Sequence, residues 1–586
     1  MHRHLYILIL IVLAAAALSV SAQDPTPTPT PIPVVNDTQN VAPENLKGVP
    51  PIASDYRSDD RGMPDLGRVG VDMTQQRSLS LHDAIELALD NNRDIEVSRK
   101  TVTMAEFDLQ AARGFYQPRL AGQTYYDRSV TPNVSVFSSN QKTTVGTLLG
   151  NAALSAYAPS FGTVFTGSFN NQRQTTDNPI SILSPQLNAS LGFAVTQPLF
   201  RGRKFDQQRR TIEIAKRNIS LTDTQFRQRS IDIVSGVEKA YWDLTFALRN
   251  LQVQRDSVRD AKLQLEHNRR LVNEGQLAPI DVVAAETQVA NFEQAVYDAL
   301  NVVNQSENVL KNLISPNRSD NVWNQSLTPV EPVEMNVPNA TLTEAMDLAL
   351  DNRPELEINK TQKDINSIDQ KLYRDQKKPQ IDFVASYSTA GIGGAQNPSF
   401  VNPFFRTVCA DPLSPECLAS IAQQQAFLRQ IGGSATAYSD IFANKYPVFR
   451  FGINFNLPLF GDKTAAANLG RSKIEAERLD TQREQIEQNI QVDVRNALQA
   501  IRTGEARLRA AAIARENSEK QYESEQRKLD SGQSDVYKVL DRQTALTVAR
   551  SNELRARTDL NKAIADLEHA TGNSLKANNI EPKLKK

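Results

Sequence analysis

Apolar and polar residues alternate along two stretches of this chain, residues 187–197 and 449–457. In the second stretch, large apolar residues stand at every other position and are separated by arginine, glycine and asparagine. A repeat of two residues with one apolar and one polar face is typical of a β-strand between two different solvents. Both stretches are therefore predicted to be strands with one apolar and one wet face.

A long proline-free tract follows each of these strands. No proline occurs between Pro198 and Pro279 or between Pro458 and Pro582. The tracts predict helices of roughly 65 to 70 residues, about 100 Å at 1.5 Å per residue. Apolar residues form two adjacent heptad seams on the first helix, so we expect a helix on each side of it. Such helices suit a membrane barrel that continues into a helical tunnel.

The chain is internally duplicated. Ser80–Ile95 matches Thr341–Leu356 without a gap, and each segment opens with an N-cap residue followed three positions later by an acid, which predicts a capped helix. A second helix of roughly 24 residues follows in each copy and ends before a proline. We predict two repeats, 78–325 and 340–575, joined by a linker at 326–339.

Each repeat contains a further predicted strand, 120–126 in the first and 381–387 in the second. Each repeat thus supplies two strands, and the chain supplies four. The connections at 128–185 and 389–447 are too long for hairpin turns, and their fold stays open. The first connection includes an extra candidate strand at 161–169, where phenylalanine recurs every fourth residue.

The N-terminus has the pattern of an export signal. Basic residues precede an apolar run from Leu5 to Val20 and small residues follow it, which predicts a signal peptide over 1–22. Residues 23–77 are rich in proline and are predicted to be disordered, and residues 576–586 are predicted to be a polar tail. No later stretch is apolar enough for a membrane helix, so an exported membrane protein of this sequence must cross as a barrel.

Charge and cysteine content restrict the chemistry. Lysine and arginine total 66 and aspartate and glutamate 67, so no bulk attraction to nucleic acid is expected. The two cysteines, Cys409 and Cys417, are predicted to form a local disulfide in an oxidising compartment. No metal site is expected, because two thiolates without nearby histidines leave a tetrahedral site unfilled.

An enzyme is not expected. Two of the five histidines lie in the signal, and the sequence has no nucleophile motif, Gly-rich phosphate loop or HExxH motif. No cofactor is expected either. A non-channel periplasmic coiled-coil scaffold is the alternative to a channel, but a rod has no need for two-faced strands.

The motifs together resemble the TolC family of outer-membrane efflux and secretion channels over about residues 78–575. They are the repeat opening best seen at Ala345–Leu356, the Gln-Pro-Leu-Phe-Arg-Gly hinge at Gln197–Gly202, and the turn and returning helix at Gly532–Ala545. The resemblance implies a mainly α protein with membrane β-strands. Three copies would combine four strands each into a 12-stranded barrel, which a periplasmic helical barrel continues.

The same resemblance implies the function and the partners. Members are exit ducts in the outer membrane of Gram-negative-type bacteria. They form homotrimers in outer-membrane lipid and work with a periplasmic adaptor (membrane fusion) protein and an inner-membrane RND or ABC transporter. The sequence itself requires oligomers, since four strands cannot close a barrel and an open edge is not tolerated in lipid. The transported substrate, and whether it is a small molecule or a protein, is not specified.

Two acids match the ring that narrows the periplasmic end of family members. These are Asp281 in the first repeat and Asp541 in the second. Lys538 stands one turn before Asp541, where well-known members have another acid, and can neutralise part of its charge. For Asp281, the ordinary preference for acids at helix N-termini is an alternative explanation.

Two turns at the far end of the helices match the family's adaptor-docking tips. The residues are Gly275, Gln276 and Leu277 in the first repeat and Gly532, Gln533 and Ser534 in the second. Ser534 stands where some members have a basic residue that locks the closed state. From the residues alone, the two glycines are predicted to end the long helices in a left-handed conformation.

Overall fold

The structure is a computed structural model, and it describes residues 67–132, 141–331, 337–400, 411–459 and 461–580. The predicted signal peptide and Cys409 lie outside these ranges. The strands, in chain order, are β1 (Asp72–Leu79), β2 (Arg119–Pro132), β3 (Lys142–Tyr157), β4 (Val164–Thr176), β5 (Leu183–Pro198), β6 (Gln325–Pro329), β7 (Gln380–Gln396) and β8 (Tyr446–Asn456). The α-helices are α1 (Leu81–Asn91), α2 (Arg93–Arg113), α3 (Gln207–Asn273), α4 (Pro279–Ile314), α5 (Leu342–Asn352), α6 (Pro354–Gln376), α7 (Pro415–Ile431), α8 (Ser434–Phe442), α9 (Lys463–Asp530), α10 (Val536–Ala570) and α11 (Ser574–Ala577).

The two long helices have the predicted length. α3 has 67 residues and α9 has 68. Each begins at an aspartate whose carboxylate accepts a hydrogen bond from a first-turn backbone N–H, at 2.8 Å for Asp206 and 2.9 Å for Asp462. Such caps satisfy amides that have no partner within the helix.

Each long helix lies beside two shorter helices stacked end to end. α3 contacts α2 and α4, and α9 contacts α6 and α10. α3 also contacts α6 and α10, which joins the two repeats side by side. No helix in the described part of the chain is long and apolar enough to cross a membrane.

Both apolar seams of α3 are buried in a core with the neighbouring helices. Tyr241 belongs to the second seam, and its hydroxyl donates to the carbonyl of Leu79 at 3.0 Å. Burying large apolar side chains stabilises the packing by about 1.5–3 kcal/mol each. The buried seam residues are Ile233, Val234, Val237, Ala240, Tyr241, Leu244, Ala247 and Leu251.

A six-stranded antiparallel sheet lies at the end of the long helices where α3 and α9 begin. Its strand order is β2-β3-β4-β5-β7-β8. The strand count differs from the expected four, because β3 and β4 form a hairpin within the first long connection. β4 contains the candidate strand around Phe165 and Phe169, whereas Phe161 precedes it. β3 escaped prediction because it is built mainly of threonine, glycine, alanine and leucine without alternation. In the described part of the second connection, α7 and α8 lie between the end of β7 and the start of β8.

One face of the sheet carries a largely apolar row that crosses all six strands. Direct cross-strand partners share a face, and one row of them runs from β2 to β8. The large apolar side chains of Leu120, Leu154, Phe193 and Phe449 in this row are exposed, as expected of a surface toward lipid. The row consists of Leu120, Leu154, Gly167, Phe193, Tyr387 and Phe449.

α8 packs on this apolar face near the end of the sheet that is remote from the long helices. Ala437 and Ile441 are buried against Leu187 and Ala189 of β5. The close approach requires Gly391 in β7, because a Cβ there would lie 1.8 Å from the carbonyl oxygen of Ala437. Glycine therefore sets how closely the helix lies on the sheet.

A small parallel sheet of β1 and β6 corrects two expectations from the sequence. Residues 72–77 were expected to be disordered and 326–329 to be linker, yet both belong to these strands. A buried charge network holds them to α4. Glu307 accepts from Arg68 Nη1 at 2.9 Å and from the backbone N–H of Leu327 at 2.7 Å, and Lys311 Nζ lies 3.5 Å from it.

We predict that Glu307→Ala destabilises the protein strongly. The substitution would leave Arg68 and Lys311 buried without their carboxylate, which typically costs about 3–5 kcal/mol. Thermal unfolding in detergent should show a clear fall in Tm, and trypsin should cleave after Arg77 more readily. The matched control is Glu487→Ala, since the pair of Glu487 with Arg483 is exposed and contributes about 0–1 kcal/mol. Equal Tm values for both variants would contradict the role of the network.

A second buried carboxyl lies where α3 meets the end of α10. Glu238 is 3% exposed, and one of its oxygens accepts from Asn578 Nδ2 at 2.8 Å. Burial, with the nearby Glu568 carboxylate, raises the pKa of Glu238 to about 8. Burial raises the pKa of Glu568 to about 7. Lys239 and Asp566, an ion pair between the same helices, face Glu238 as well.

We predict that stability falls as pH rises from about 5 to about 8. A carboxyl whose folded pKa lies above its unfolded value binds its proton more tightly when folded. Its contribution is complete below the unfolded pKa and is lost toward the folded one, by up to about 1.4 kcal/mol per pH unit. Glu238→Gln should make the decline of Tm across this range shallower, whereas Asp480→Asn, on an exposed position, should not. An unchanged slope in Glu238→Gln would contradict the assignment.

Candidate periplasmic tips and gate

The two long helices end in the same turn at their far ends. Gly275 and Gly532 adopt φ of 74° and 70°, a left-handed conformation that glycine reaches without strain. Gln276 donates its backbone N–H to Leu271 at 2.8 Å, and Gln533 makes the equivalent 2.8 Å bond. This pattern is a Schellman ending, as the two glycines predicted.

Each turn leads at once into a returning helix with an acidic cap. The Asp281 carboxylate accepts from the backbone N–H of Ala278 at 3.1 Å. At the second tip, Asp535 accepts from the backbone N–H of Lys538 at 2.9 Å. Asp281 therefore already has an ordinary capping role, which the sequence left open beside the gate role.

The two tips of one chain pack together. Leu277 of the first tip lies against the apolar cluster of Leu529, Val536 and Val539 from the second. His267 on α3 lies 3.0 Å from the carboxylate of Asp530 on α9. The tips consequently form one unit instead of two independent turns.

The charged groups at the second tip pair differently from the expectation. Lys538 Nζ lies 3.0 Å from Asp535 and not beside Asp541, where the sequence suggested a neutralising role. Hydrogen bonds from the backbone and side chain of Lys538 lower the pKa of Asp535. Asp541 is exposed, and its ion contact is with the adjacent Arg542 at 3.9 Å.

Asp281 and Asp541 lie on neighbouring helices at different heights. Gln288 on α4 donates to Thr544 on α10 at 2.8 Å, which fixes the relative position of the two helices. Asp541 precedes Thr544 by three residues, and Asp281 precedes Gln288 by seven residues. At 1.5 Å per residue the two acids are offset by about 6 Å along the helices, so copies arranged around an axis would form two separate rings.

Ser534 ties its turn to the preceding helix. Its hydroxyl donates to the Glu525 carboxylate on α9, and Lys528 pairs with the same carboxylate at 3.2 Å. These hydrogen bonds lower the pKa of Glu525, with Ser534 as the main cause. Ser534 thus stabilises the turn within its own chain.

Three exposed apolar side chains at the tips were not anticipated. Ile280, Val283 and Tyr537 are 68%, 52% and 78% exposed in the first turns of the returning helices. Exposed apolar side chains within a polar surrounding are typical of a protein contact surface. A sequence signal existed, namely apolar residues directly after each turn, where a free helix start would favour polar ones.

The predicted disulfide and the absence of metal sites concern other parts of the chain. Cys417 is disulfide-bonded, and Cys409, the other cysteine of the chain, lies outside the described residues. Across the ranges that the structure describes, no cluster of histidine, cysteine and acidic residues is arranged to hold a metal ion.

Comparisons with known proteins give the context of this architecture. The family described as "Outer membrane efflux protein" matches residues 150–315 and 345–573. A search of curated proteins gives no match. Among solved structures, CusC, whose structures concern folding and transmembrane channel formation, is 16% identical with a TM-score of 0.59, covering 87% of this chain and 99% of that one.

Two further solved structures have the same fold. The CmeC outer membrane channel of Campylobacter jejuni is 15% identical with a TM-score of 0.57, covering 84% of this chain and 86% of that one. The open state of the MtrE outer membrane channel of Neisseria gonorrhoeae is 16% identical with a TM-score of 0.54, covering 84% and 89%. The family match spans more than half of the chain and confirms the resemblance to TolC channels. This chain therefore belongs to the outer membrane efflux protein family, as an outer-membrane channel protein whose helical part lies in the periplasm.

Proposed function

We propose that this chain is the exit duct of a tripartite efflux or type I secretion system. Three copies would form the duct, a periplasmic adaptor would dock on its tips, and an inner-membrane RND or ABC transporter would supply the cargo. The observation that carries the proposal is the pair of matching turns at the far end of the long helices, with exposed apolar residues beside them. A periplasmic scaffold without a channel would not need this surface together with a lipid-facing sheet.

Assembly into a ring follows from the sheet and the helices together. The sheet of one chain is open at β2 and β8, and open edges are not tolerated in lipid. The helices continue from the sheet as a wall two repeats wide. Identical copies around one axis would close the sheet and the helices into a single conduit, and the number three follows the family.

Adaptor docking would use the tips as a continuous surface. Gln276 and Gln533 are exposed in the two turns, and Ile280, Val283 and Tyr537 are exposed in the first turns of the helices that follow. Helical hairpins of a partner commonly bind through apolar anchors surrounded by polar groups. The equal geometry of the two turns would offer similar sites in alternation around the ring.

We predict that cysteines at the tips capture the adaptor. Gln276→Cys and Gln533→Cys, treated in cells with a short bismaleimide crosslinker, should each yield an adduct containing a periplasmic adaptor, identified by mass spectrometry. The control is Asn151→Cys on β3, which lies in the sheet far from the tips. No adduct at either tip, or the same adduct from the control, would remove the docking assignment, whereas a soluble periplasmic pool of the protein would favour the scaffold.

The gate would be a ring of Asp541 carboxylates. Asp541 is exposed on α10 a short distance past the turn, and its ion contact within the chain is the distant one with Arg542. Carboxylates brought together by a threefold axis would repel one another and attract cations. Lys538 is paired with Asp535, so its charge is partly engaged elsewhere, and Asp281 would add a second ring about 6 Å away along the helices.

We predict that Asp541→Ala weakens cation block and raises conductance in planar bilayers. Loss of three carboxylates from one constriction should reduce the affinity for multivalent cations by about tenfold or more, since each close charge contributes on the order of 1 kcal/mol at an effective dielectric constant of roughly 80. The matched control is Asp480→Ala, which removes an exposed acid of α9 paired with Lys363. Unchanged conductance and block in Asp541→Ala would remove the gate assignment.

A further inference from the structure

The inserted hairpin of β3 and β4 has the two faces of a barrel wall. On the lipid-facing side its exposed residues include Leu148, Leu154 and Phe165. On the opposite side the hairpin carries polar residues such as Asn151 and Asn170. A hairpin that projected into water or into the lumen would have no reason to place these large apolar side chains on the face that β5, β7 and β8 make apolar. Through the cross-strand register, Leu154 lies on the same face as Phe193, Tyr387 and Phe449.

The insertion also preserves the direction of every strand. β2 runs away from the helices and β5 runs back toward them, so the two could pair directly if β3 and β4 were absent. Adding a complete hairpin leaves β2 antiparallel to its new neighbour and β8 antiparallel to the next copy's β2. An even number of strands per copy is what a ring of identical antiparallel sheets requires.

The two edge strands are free to pair. All residues of β2 and β8 are exposed, and each strand pairs on one side within the described chain. β2 and β8 end the same apolar face, since Leu120 and Phe449 terminate one cross-strand row. Each open edge exposes backbone hydrogen-bonding groups next to the same apolar face. A second copy of this chain, which carries the complementary edge, is the partner that fits it.

We propose that three copies close an 18-stranded outer-membrane barrel, in which β8 of each copy pairs with β2 of the next. This inference rests on the proposed trimeric duct. It replaces the 12-stranded barrel that the resemblance implied. Each copy contributes six strands, and the hairpin of β3 and β4 forms one third of the wall.

The observed stagger of the strands, together with level helix-side ends of β8 and the next β2, sets the register of the new pairing. The row that contains Leu120 begins one residue from the helix-side end of β2. It reaches Phe449, which lies seven residues from the corresponding end of β8. If the helix-side ends of β8 and the next β2 are level, Asn456 lies opposite Arg119 and Phe449 opposite Tyr126. Going once across a copy therefore displaces the row by six residues along β2, from Leu120 to Tyr126 of the next copy.

This register gives a barrel of ordinary geometry. Six residues per copy over three copies amounts to a shear of about 18 for 18 strands. When shear equals strand number, strands tilt by about 36°, within the usual range of about 35–45°. At a strand spacing of about 4.8 Å the backbone diameter is about 34 Å, against about 23 Å for twelve strands at the same tilt. The outer-membrane opening is correspondingly wide.

The test is to image the unmodified protein in lipid nanodiscs and to count the strands. We expect a trimer with 18 strands in the wall. A trimer with twelve strands, with β3 and β4 outside the wall, would overturn the inference and leave the proposed duct intact. A protein without a closed ring would overturn both.

Crosslinking tests the register independently. Tyr126→Cys combined with Phe449→Cys should form disulfides that link three copies, seen as a trimer band that reductant removes. The control, Tyr126→Cys with Phe455→Cys, separates the cysteines by six residues along the strand, about 20 Å, and should give no trimer. Linking in the control but not in the first pair would contradict the register.

Lipid exposure tests the position of the hairpin. A nitroxide label at Leu154→Cys should collide with dissolved oxygen and be protected from a water-soluble nickel chelate. A label at Asn151→Cys, on the opposite face of β3, should be accessible to the chelate. Equal access of the chelate to both labels would place the hairpin outside the wall and overturn the inference.

Discussion

A strand edge in a bilayer has no water to satisfy its backbone N–H and C=O groups, and this constraint organises the whole molecule. One chain supplies a sheet with an apolar face and two open edges at β2 and β8, which further copies would cover in the proposed ring. The long helices then have a defined task. In the proposed ring they would carry the wall away from the membrane and hold the copies in a common orientation around one axis.

Both repeats build the wall from the same arrangement of helices. Each repeat places one helix of nearly 70 residues beside two shorter helices whose ends meet. The buried network of Arg68, Glu307 and Lys311 fastens the segment before α1 to α4, and the Glu238 carboxyl lies where α3 meets α10. Both charged clusters lie in the helical part between the sheet and the tips, where the chain joins short elements to the long rods.

The tips combine a rigid turn with chemically distinct surroundings. Matching glycine turns place exposed apolar residues at the end of the wall, while capping bonds and local ion pairs engage Asp281, Asp535 and Lys538. Asp541 remains exposed at one turn's distance from these contacts. The division separates the groups that build the turn from Asp541, the proposed gate residue, whose ion contact is the 3.9 Å one with Arg542.

Much of this architecture follows from the sequence because its signals are local. Alternation at 449–457, proline-free tracts, paired glycines at the turns and the repeated capped helix each reflect short-range preferences of the backbone. The strand β3, the helix α8 over Gly391, and the pairing of Lys538 with Asp535 instead of Asp541 were not readable in that way. Small and polar residues in β3 become a strand only because neighbours pair on both sides of it, and ion pairs depend on which side chains the turn brings within reach. Local patterns therefore determined the elements and their repetition. Long-range pairing decided the width of the sheet and the contacts at the tips of the long helices.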